Sequence, residues 1–575
     1  MIILNILILD LSLNVILPSK IFDRLKSISF KHKNDFNALI DRISQYHSNN
    51  LSWWIESPST RNTLQSSLFY RFCCIYLLKD LIKTGINVDK VIVDSPAMIN
   101  LIKEFRRIHS IDFIIEGPEN KSPKLFQNFL QSIKSSIILL KKYRKKFNAA
   151  NKTAFLSAKP PKDGLIIIDQ FVFPGYITND RYYNGLWDEL TLEQMGKTFF
   201  VPTLVMMDEN EFEPAYRELR KSKKNFLIKE DYLGISDLIF SLFHIIKVWF
   251  IRPHTEKVMD INFSPLIREE LLYSRLHEGK VEGLLNYRFA KSLKEQSFDL
   301  SLIIDWWEGQ PMDKGWNFGF HTYFPKTEKK GYLGSVPTAN NLQLFPSEIE
   351  IKHNVSPPII ATIGEEFSFE MNANNKHFKA ETAPAFRFSH LWKNSRNIKK
   401  DTSEYRILIA LSVLENESVN ILNLIYDSNL IENKNIKFIL NPHPTMKFEI
   451  LKAHFGKKWS SRIQKGNNPT YKEIKKADLL ITGMSAVGLE AISMGVPVIV
   501  VETMRGLSYI PIPESISKEL WRICRSSKEV SKEVDSFRNR SKEALIHHQE
   551  LSLNIKNKYF EPVTKKSVQR FLEFN

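Results

Sequence analysis

The chain has 575 residues, of which 43% are hydrophobic, 25% charged and 12% aromatic, and this composition excludes a disordered or fibrous chain. Its formal net charge of +16 favours an anionic partner: nucleic acid, an anionic membrane surface or anionic substrates. Because no zinc-finger, RNP-like or homeodomain-like pattern is present, no nucleic-acid partner is expected. Three cysteines give neither a disulfide framework nor metal-ligand spacing, which favours a cytoplasmic protein: Cys73, Cys74 and Cys524.

The first 120 residues alternate between strand-like and helix-like runs, beginning with the apolar run Ile2–Leu9. Because this run lacks a basic n-region and a cleavage site, it predicts a buried strand and not a signal peptide. Strands separated by helices of this length predict βαβ units and a parallel sheet.

The middle of the chain predicts a basic helical insertion near residues 121–160. Within it, Leu139–Phe147 (LLKKYRKKF) indicates either a solvated helix or an interfacial helix that meets acidic lipids. Ile235–Ile251 is strongly apolar, but it carries charge and is short for a membrane span. We therefore expect a buried or interfacial helix there and no transmembrane segment. The α/β pattern then resumes, and a strand at Phe298–Asp305 leads directly into Trp306, Trp307 and Glu308.

The clearest local pattern lies near the C-terminal end. Asp478–Thr482 predicts a buried parallel strand, Gly483 permits a sharp turn, and a helix is predicted from about Ser485 to Met494. Val496–Val501 predicts the next strand. A small-residue turn that opens into a helix offers backbone N–H groups and a positive dipole end to an anion such as phosphate.

Further polar side chains are predicted to lie near this turn. Ser485 adds a hydroxyl, Ala486 leaves room for close approach, and Glu490 lies one turn deeper on the same helix face. His443 and Ser412 each follow a strand-like run, so both are expected at the carboxyl edge of the sheet, where ligands bind. A structural loop or surface role is the alternative for each of them.

Two motifs in this half resemble a known family. Asn441–Pro444 reads NPHP, and Asp478–Val498 follows D-x-x-x-(T/S)-x-x-S-x-x-x-x-E-A-x-x-x-G-x-P-V. Together they resemble the C-terminal half of GT-B glycosyltransferases, and are most similar to bacterial capsule Kdo transferases, HP-motif sialyltransferases and teichoic acid glycerophosphotransferases. The resemblance implies that His443 and Ser485 contact the nucleotide phosphate of the donor and that Glu490 contacts its ribose.

The resemblance also implies an architecture. We expect a GT-B-like α/β fold with two Rossmann-like domains whose parallel sheets face a cleft, and a helical insertion in the first domain. The acceptor domain is predicted at 1–330, the nucleotide-donor domain at 331–540 and a helical tail at 541–575. The run Ser515–Lys532 is expected to cross back to the first domain.

The first domain should supply the base and the acceptor site. Transfer to an acceptor hydroxyl needs a group that takes its proton, and Asp305 and Glu308 are the leading candidates at a strand end. Trp306 and Trp307 are predicted to bind the acceptor, since aromatic surroundings are typical of a sugar site. The rival carboxylates are Asp169 and Asp180.

The predicted function is transfer of a sugar from a nucleotide-activated donor to a growing capsule, O-antigen or lipopolysaccharide chain. No cofactor and no metal ion are expected, and the basic charge suits peripheral contact with the inner face of the cytoplasmic membrane. One alternative is a nucleotide-sugar 2-epimerase of the same fold, and another is a non-catalytic glycan-binding protein. A hydrolase is disfavoured because Gly483–Val487 lacks the last glycine of a G-x-S-x-G elbow.

Overall fold

A computed structural model describes residues 7–118, 123–156, 160–393, 404–443 and 446–574. These residues contain two six-stranded parallel sheets, a three-stranded parallel sheet and a short antiparallel ribbon. The predicted α/β class with two Rossmann-like domains is therefore confirmed. Within the described ranges, no helix is both long and apolar enough to cross a membrane.

The N-terminal unit, residues 7–118, forms its own three-stranded sheet in the order β1-β2-β3. The predicted first strand is present only from Leu7 onward in the described residues, since residues 2–6 lie outside them. Ser95 shows why a helix begins where it does: its side chain accepts the Met98 N–H, and Pro96 occupies the first helical turn. The elements are β1 Leu7–Asp10, α1 Ser19–Ser44, α2 Leu51–Trp54, α3 Ser57–Thr60, α4 Leu68–Lys83, β2 Val88–Ile92, α5 Pro96–His109 and β3 Ile114–Glu116.

In the sequence, the long helix α6, Pro123–Thr153, comes between the N-terminal unit and the first six-stranded sheet. That sheet has the strand order β11-β10-β9-β8-β4-β5, and all eight residues of β4 are buried, as expected for a central parallel strand. Its strands are β4 Leu165–Val172, β5 Thr198–Leu204, β8 Leu300–Trp306, β9 Glu328–Leu333, β10 Ile359–Thr362 and β11 Lys379–Thr382, with the ribbon β6 Lys257–Val258 and β7 Ile261–Asn262. Its helices are α7 Leu192–Lys197, α8 Phe212–Arg220, α9 Ile235–Leu242, α10 His244–Phe250, α11 Ser264–Tyr273, α12 Glu278–Glu295, α13 Pro311–Tyr323, α14 Glu348–Lys352, α15 Glu365–Asn374 and α16 His390–Lys393.

The second six-stranded sheet has the order β14-β13-β12-β15-β16-β17, which is the strand order 3-2-1-4-5-6 of a dinucleotide-binding fold. Its strands are β12 Tyr405–Ala410, β13 Ile436–Asn441, β14 Ile463–Lys465, β15 Leu479–Thr482, β16 Val498–Val501 and β17 Trp521–Cys524. The helices are α17 Glu415–Asp427, α18 Phe448–Phe455, α19 Thr470–Ile474, α20 Val487–Ser493, α21 Ser527–Arg538, α22 Lys542–Tyr559 and α23 Lys565–Phe571.

The division between the two large sheets differs from the predicted boundary at residue 330. That boundary falls inside β9, and β9, β10 and β11 all pair within the first sheet, so the sheets divide between Thr382 and Tyr405. The sequence EKKGYL hid the strand, because Lys330 is a buried charge. Its ammonium is 3.1 Å from Glu381 and 2.6 Å from Glu573.

The segment that returns to the first sheet is also different from the one predicted. Ser515–Lys532 was expected to cross, but it contains β17, which closes the edge of the second sheet. The residues after Tyr559 cross instead: the Glu561 N–H donates to the Ile363 carbonyl, and the Phe571 ring lies 5.2 Å from the Tyr332 ring. One hydrophobic cluster therefore contains buried residues from both large sheets and from the tail.

Candidate functional site

Each large sheet has one place where the strand order reverses, and parallel sheets bind ligands outside the carboxyl ends of the strands at such a point. In the second sheet the reversal lies between β12 and β15, so Ser412 and Gly483 follow the two strands that flank it. In the first sheet it lies between β8 and β4, and Glu308 follows β8.

His443 lies just beyond the end of β13, two residues after Asn441, and is half-buried. Its carbonyl accepts the Met446 N–H at 2.8 Å. Pro444, the last residue of the NPHP motif, lies outside the described residues. Burial lowers the pKa of His443 below its ordinary value, and the positive charges of Arg181 and Arg387 lower it further. The imidazole is therefore neutral at pH 7 and lies within the electrostatic influence of two guanidinium groups of the first domain.

Arg181 lies in the loop that follows β4, and this loop is held by the residue before it. Asp180 is buried, and one carboxylate oxygen accepts the N–H groups of Tyr182 and Tyr183 at 2.8 and 2.9 Å. Its other oxygen pairs with Lys224 at 3.1 Å. Asp180, a rival for the catalytic base, is thus a structural residue that fixes the position of Arg181.

Arg387 follows β11 and is positioned by buried aromatic neighbours. The Tyr332 hydroxyl donates to the Pro384 carbonyl at 2.7 Å and accepts the Phe386 N–H at 3.3 Å. The guanidinium carbon of Arg387 lies 5.9 Å from the centre of the Tyr182 ring, which is on the loop that carries Arg181. The two arginines therefore belong to adjoining parts of the first domain.

Arg181, Arg387 and His443 form what we call the cationic cluster, in which the two arginines carry the positive charge and His443 is neutral at pH 7. Among the described residues, no carboxylate oxygen lies within 4 Å of either guanidinium. Burial and the charge of Arg387 lower the pKa of Arg181, and Glu490 is among the groups that oppose this shift. Because an anion would offset the repulsion between these groups, the cluster is suited to bind a phosphate or carboxylate group.

The predicted turn after β15 is present, but one of its N–H groups is already used. Glu417 of α17 accepts the Met484 N–H at 2.8 Å, and a Cβ at Gly483 would lie 2.4 Å from the same carboxylate oxygen. A side chain at position 483 would therefore displace the Glu417 carboxylate. The helix begins at Val487 with Ala486 as its N-cap, two residues later than predicted, and Ser485 lies in the turn with its N–H bonded to the Gly483 carbonyl.

Glu490 and Ser412 both lie near this turn and are engaged with protein groups. One Glu490 oxygen is 2.7 Å from His390 Nε2, and the His390 ring lies 4.6 Å from the ring of Tyr471. Ser412 is buried at the end of β12, and its hydroxyl accepts the Leu414 N–H at 3.2 Å. Their contacts with a donor remain predictions.

The predicted acceptor residues Trp306 and Trp307 are core residues. Both side chains are fully buried; the Trp306 ring is 4.4 Å from the Tyr182 ring, and the Trp307 indole N–H donates to the Leu344 carbonyl at 3.0 Å. Neither ring can stack on a sugar, so this prediction is wrong. The strand extends through Trp306, and its side chains pack on both faces of the sheet instead of projecting into the cleft.

Asp305 is likewise buried within the first domain, where Asn317 Nδ2 donates to its carboxylate at 2.6 Å. Burial raises the pKa of Asp305 well above its ordinary value, and Asp313 and Asp169 raise it further. Asp169 lies in the middle of β4 and not at its end. These two carboxylates are therefore excluded as bases that meet an acceptor in the cleft.

Glu308 is the remaining candidate base of the first domain. It is half-buried, its carboxylate accepts the Trp306 indole N–H at 3.0 Å, and its own N–H donates to Asp313 at 2.9 Å. The negative charge of Glu308 contributes to the raised pKa of Tyr182, the ring below Arg387. Through Trp306, Glu308 is therefore connected to Tyr182, on the loop that carries Arg181.

Several residues of the site were missed by sequence analysis. Arg181 and Arg387 lie in segments that follow the ends of β4 and β11, where function is expected, but these segments carry no motif. The other three lie in the first turns of α16, α17 and α19, and no motif marks them. The missed residues are Arg181, Arg387, His390, Glu417 and Tyr471. Across the described part of the chain, no group of three or more His, Cys, Asp or Glu side chains is arranged to hold a metal ion.

No protein-family model matches the chain, and no curated protein matches it. Solved structures of similar fold include the MnaA–UDP co-structure from S. aureus, with 11% identity, a TM-score of 0.44 and coverage of 72% of this chain and 98% of that chain. The UDP-GlcNAc 2-epimerase of Methanocaldococcus jannaschii in complex with UDP-GlcNAc and UDP has 12% identity, a TM-score of 0.40 and coverage of 71% and 98%. The calicheamicin glycosyltransferase CalG4 has 12% identity, a TM-score of 0.41 and the same coverage. Similarity at this level concerns the course of the chain and assigns no residue a role.

Proposed function

We propose that this protein is a glycosyltransferase that moves a sugar from a nucleotide-activated donor to a growing surface polysaccharide, such as capsule, O-antigen or lipopolysaccharide. The observation that carries the proposal is the cationic cluster, which combines Arg181 and Arg387 of the first domain with His443 of the second. The position of His443 supports this proposal, because it follows β13, which pairs with β12 beside the strand-order reversal of the second sheet.

The chemistry of transfer matches the charges of the site. The acceptor oxygen forms a bond to the anomeric carbon, and the bond from that carbon to the donor phosphate breaks, with its electron pair passing to the phosphate oxygen. Arg181 and Arg387 stabilise the negative charge that develops on the leaving phosphate, and His443 donates a hydrogen bond to it. Glu308 takes the proton of the acceptor hydroxyl.

Binding is the first test, with CMP, CDP, UDP, GDP and ADP measured by calorimetry. We expect one base family to bind, and Arg181→Gln with Arg387→Gln to weaken binding at least about 100-fold, since each bond to a charged group contributes ~1.5–3 kcal/mol. Arg107→Gln with Arg538→Gln removes the same charge from two helices, α5 and α21, and should leave affinity unchanged. Absence of binding by every nucleotide would favour a non-catalytic glycan-binding protein.

Turnover is the second test, with the matching nucleotide sugar and a glycan acceptor. Glu308→Gln should lower turnover by about 10²–10⁴-fold and leave nucleotide affinity unchanged. Asp305→Asn, three residues earlier, should leave turnover unchanged. Conversion of the nucleotide sugar without any acceptor would identify an epimerase and overturn the proposal. We propose in addition that no divalent cation or other cofactor takes part; a loss of turnover with EDTA that magnesium or manganese restores would refute this.

A further inference from the structure

Helices α9 and α10 present an exposed apolar face that the proposed activity does not use. Its side chains recur at the spacing of one helical face, and their exposed fractions of 45% to 72% show that they project from the protein. They are Ile235, Ile239, Phe243, Ile246 and Phe250. Exposed Ile and Phe at this density mark an interaction surface and not the scattered apolar residues of an ordinary surface.

The opposite side of these helices is firmly anchored, so the face is held in place. Leu238 and Val248 are buried, and His244, also buried, is 2.7 Å from the Glu56 carboxylate of the N-terminal unit. Asp237, the one acidic residue between positions 235 and 252, is buried and accepts a hydrogen bond from Arg288 Nε at 2.5 Å. No acidic side chain from this segment therefore reaches the exposed face.

The neighbouring helix α6 extends the surface. The Phe129 ring of α6 lies 4.8 Å from the Trp249 ring of α10, so the two helices are adjacent. Leu130, Ile133 and Ile137 of α6 are 48%, 38% and 50% exposed, again at helical spacing. The docking face consists of these exposed apolar residues of α6, α9 and α10.

The exposed charges within the two segments that form the docking face are all of one sign. No Asp or Glu occurs between residues 127 and 147, and the exposed Lys134 and Lys141 of α6 lie on its solvent side. Lys247 and Arg252 are exposed at the end of α10. Apolar side chains surrounded by cations, with no exposed carboxylate in either segment, are typical of a surface that lies on an anionic bilayer.

We propose that the docking face attaches the protein to a membrane surface rich in anionic lipids, with the apolar side chains entering the headgroup boundary and the lysines contacting lipid phosphates. A second copy of the chain fits this face less well, because a two-fold contact would set its cations against each other. The proposal does not depend on the transferase activity, since it uses residues outside the cationic cluster.

The test is sedimentation of the full chain with vesicles of phosphatidylcholine alone and of equimolar phosphatidylcholine and phosphatidylglycerol. We expect binding to the mixed vesicles only, and a loss of about thirty-fold in Lys134→Gln with Lys141→Gln. Phe243→Asn with Phe250→Asn should weaken binding at least about ten-fold. All four positions are solvent-exposed, and circular dichroism melting should show unchanged folding.

Matched controls come from other surfaces. Phe369→Asn removes an equally exposed ring from α15, and Lys457→Gln with Lys458→Gln removes two exposed lysines; none should change vesicle binding. Equal binding by the docking-face variants, or no binding of the wild type to either vesicle, would overturn the proposal. It would also be overturned if Phe243→Asn with Phe250→Asn dissociated a vesicle-free dimer in sedimentation equilibrium, because the occupant would then be a second copy.

Discussion

His443 illustrates how single side chains of this site depend on partners from another domain. Its pKa is lowered by burial and by Arg181 and Arg387, so the ligand-free protein holds it neutral near pH 7. A bound phosphate adds negative charge beside the imidazole and therefore raises its pKa.

Nucleotide binding should consequently take up a proton. Because the bound state has the higher His443 pKa, affinity should increase as the pH falls from about 8 to about 6, and His443→Gln should abolish this increase. Calorimetry in buffers of different ionisation enthalpy measures the proton uptake directly. An unchanged pH dependence in His443→Gln would assign the proton to another group.

The residues at the end of β8 show the limits of prediction from a strand end. The sequence places Asp305, Trp306, Trp307 and Glu308 there, but successive side chains of a strand point to opposite faces. Only the assembled sheet decides which faces are covered, and here both are, so the first three residues are buried. Glu308 is the second residue beyond the strand and is only half-buried.

At the scale of elements, the strand–turn–helix around Gly483 follows closely from sequence. A short apolar run, a glycine and a helix ended by Gly495 at φ +76° are local signals, and β15, α20 and β16 form within two residues of the predicted bounds. The late start of α20 has a non-local cause: Glu417 of α17 binds the Met484 N–H. The sequence contains no signal that pairs these distant positions.

The first sheet and helix α13 bury three carboxylates together: Asp169, Asp305 and Asp313. Burial is the main cause that raises the pKa of Asp305, and mutual repulsion adds to it. The folded chain therefore binds more protons at this group than the unfolded chain does once the pH exceeds the ordinary Asp value. Its contribution to stability is present at low pH and is lost as the pH rises toward the folded pKa.

Asp305→Asn should remove this dependence. The stability of Asp305→Asn relative to wild type should increase between about pH 5 and about pH 8, as measured by urea unfolding at each pH. His244 changes the stability with pH in the opposite direction, because burial lowers its pKa. It is present in both proteins, so its effect cancels in the difference in stability between variant and wild type. A constant difference across this range would show that Asp305 is not protonated in the folded state.

At the scale of the molecule, the C-terminal tail ties the two large sheets together. Phe571 of α23 is buried against Tyr332 and Phe386, at 5.2 and 5.5 Å between ring centres, and Phe386 directly precedes Arg387. Phe571→Ala should cost about 3–5 kcal/mol of unfolding free energy because it leaves a cavity. It should also weaken nucleotide binding, since Arg387 loses its support.

Phe574→Ala is the matched control for this prediction. It removes the same side chain from the same tail at a partly buried position outside the Tyr332–Phe386 contact, and it should cost less stability and leave nucleotide affinity unchanged. Calorimetric titration and urea unfolding of both variants measure the two effects. Full nucleotide affinity in Phe571→Ala would show that the tail does not position Arg387.

The N-terminal unit makes a second connection between the large sheets. Lys26 pairs with the buried Glu502 of the second domain at 2.9 Å, and Arg61 pairs with the buried Glu350 of the first at 2.5 Å. The Tyr509 hydroxyl also donates to the Thr63 carbonyl at 2.8 Å. This unit was expected to be part of the first domain, but it has its own sheet and contacts both neighbours.

The sequence by itself determined what depends on neighbours along the chain: the α/β class, most strands and helices, and the Gly483 turn with Ser485 and Glu490 beside it. Hydrophobic periodicity, caps and glycines act over a few residues and can be read directly. The tertiary structure alone decided the strand order, the return of the tail and the cationic cluster. Arg181, Arg387 and His443 are far apart in sequence, and only the packing of the two domains brings the two guanidinium groups near the imidazole.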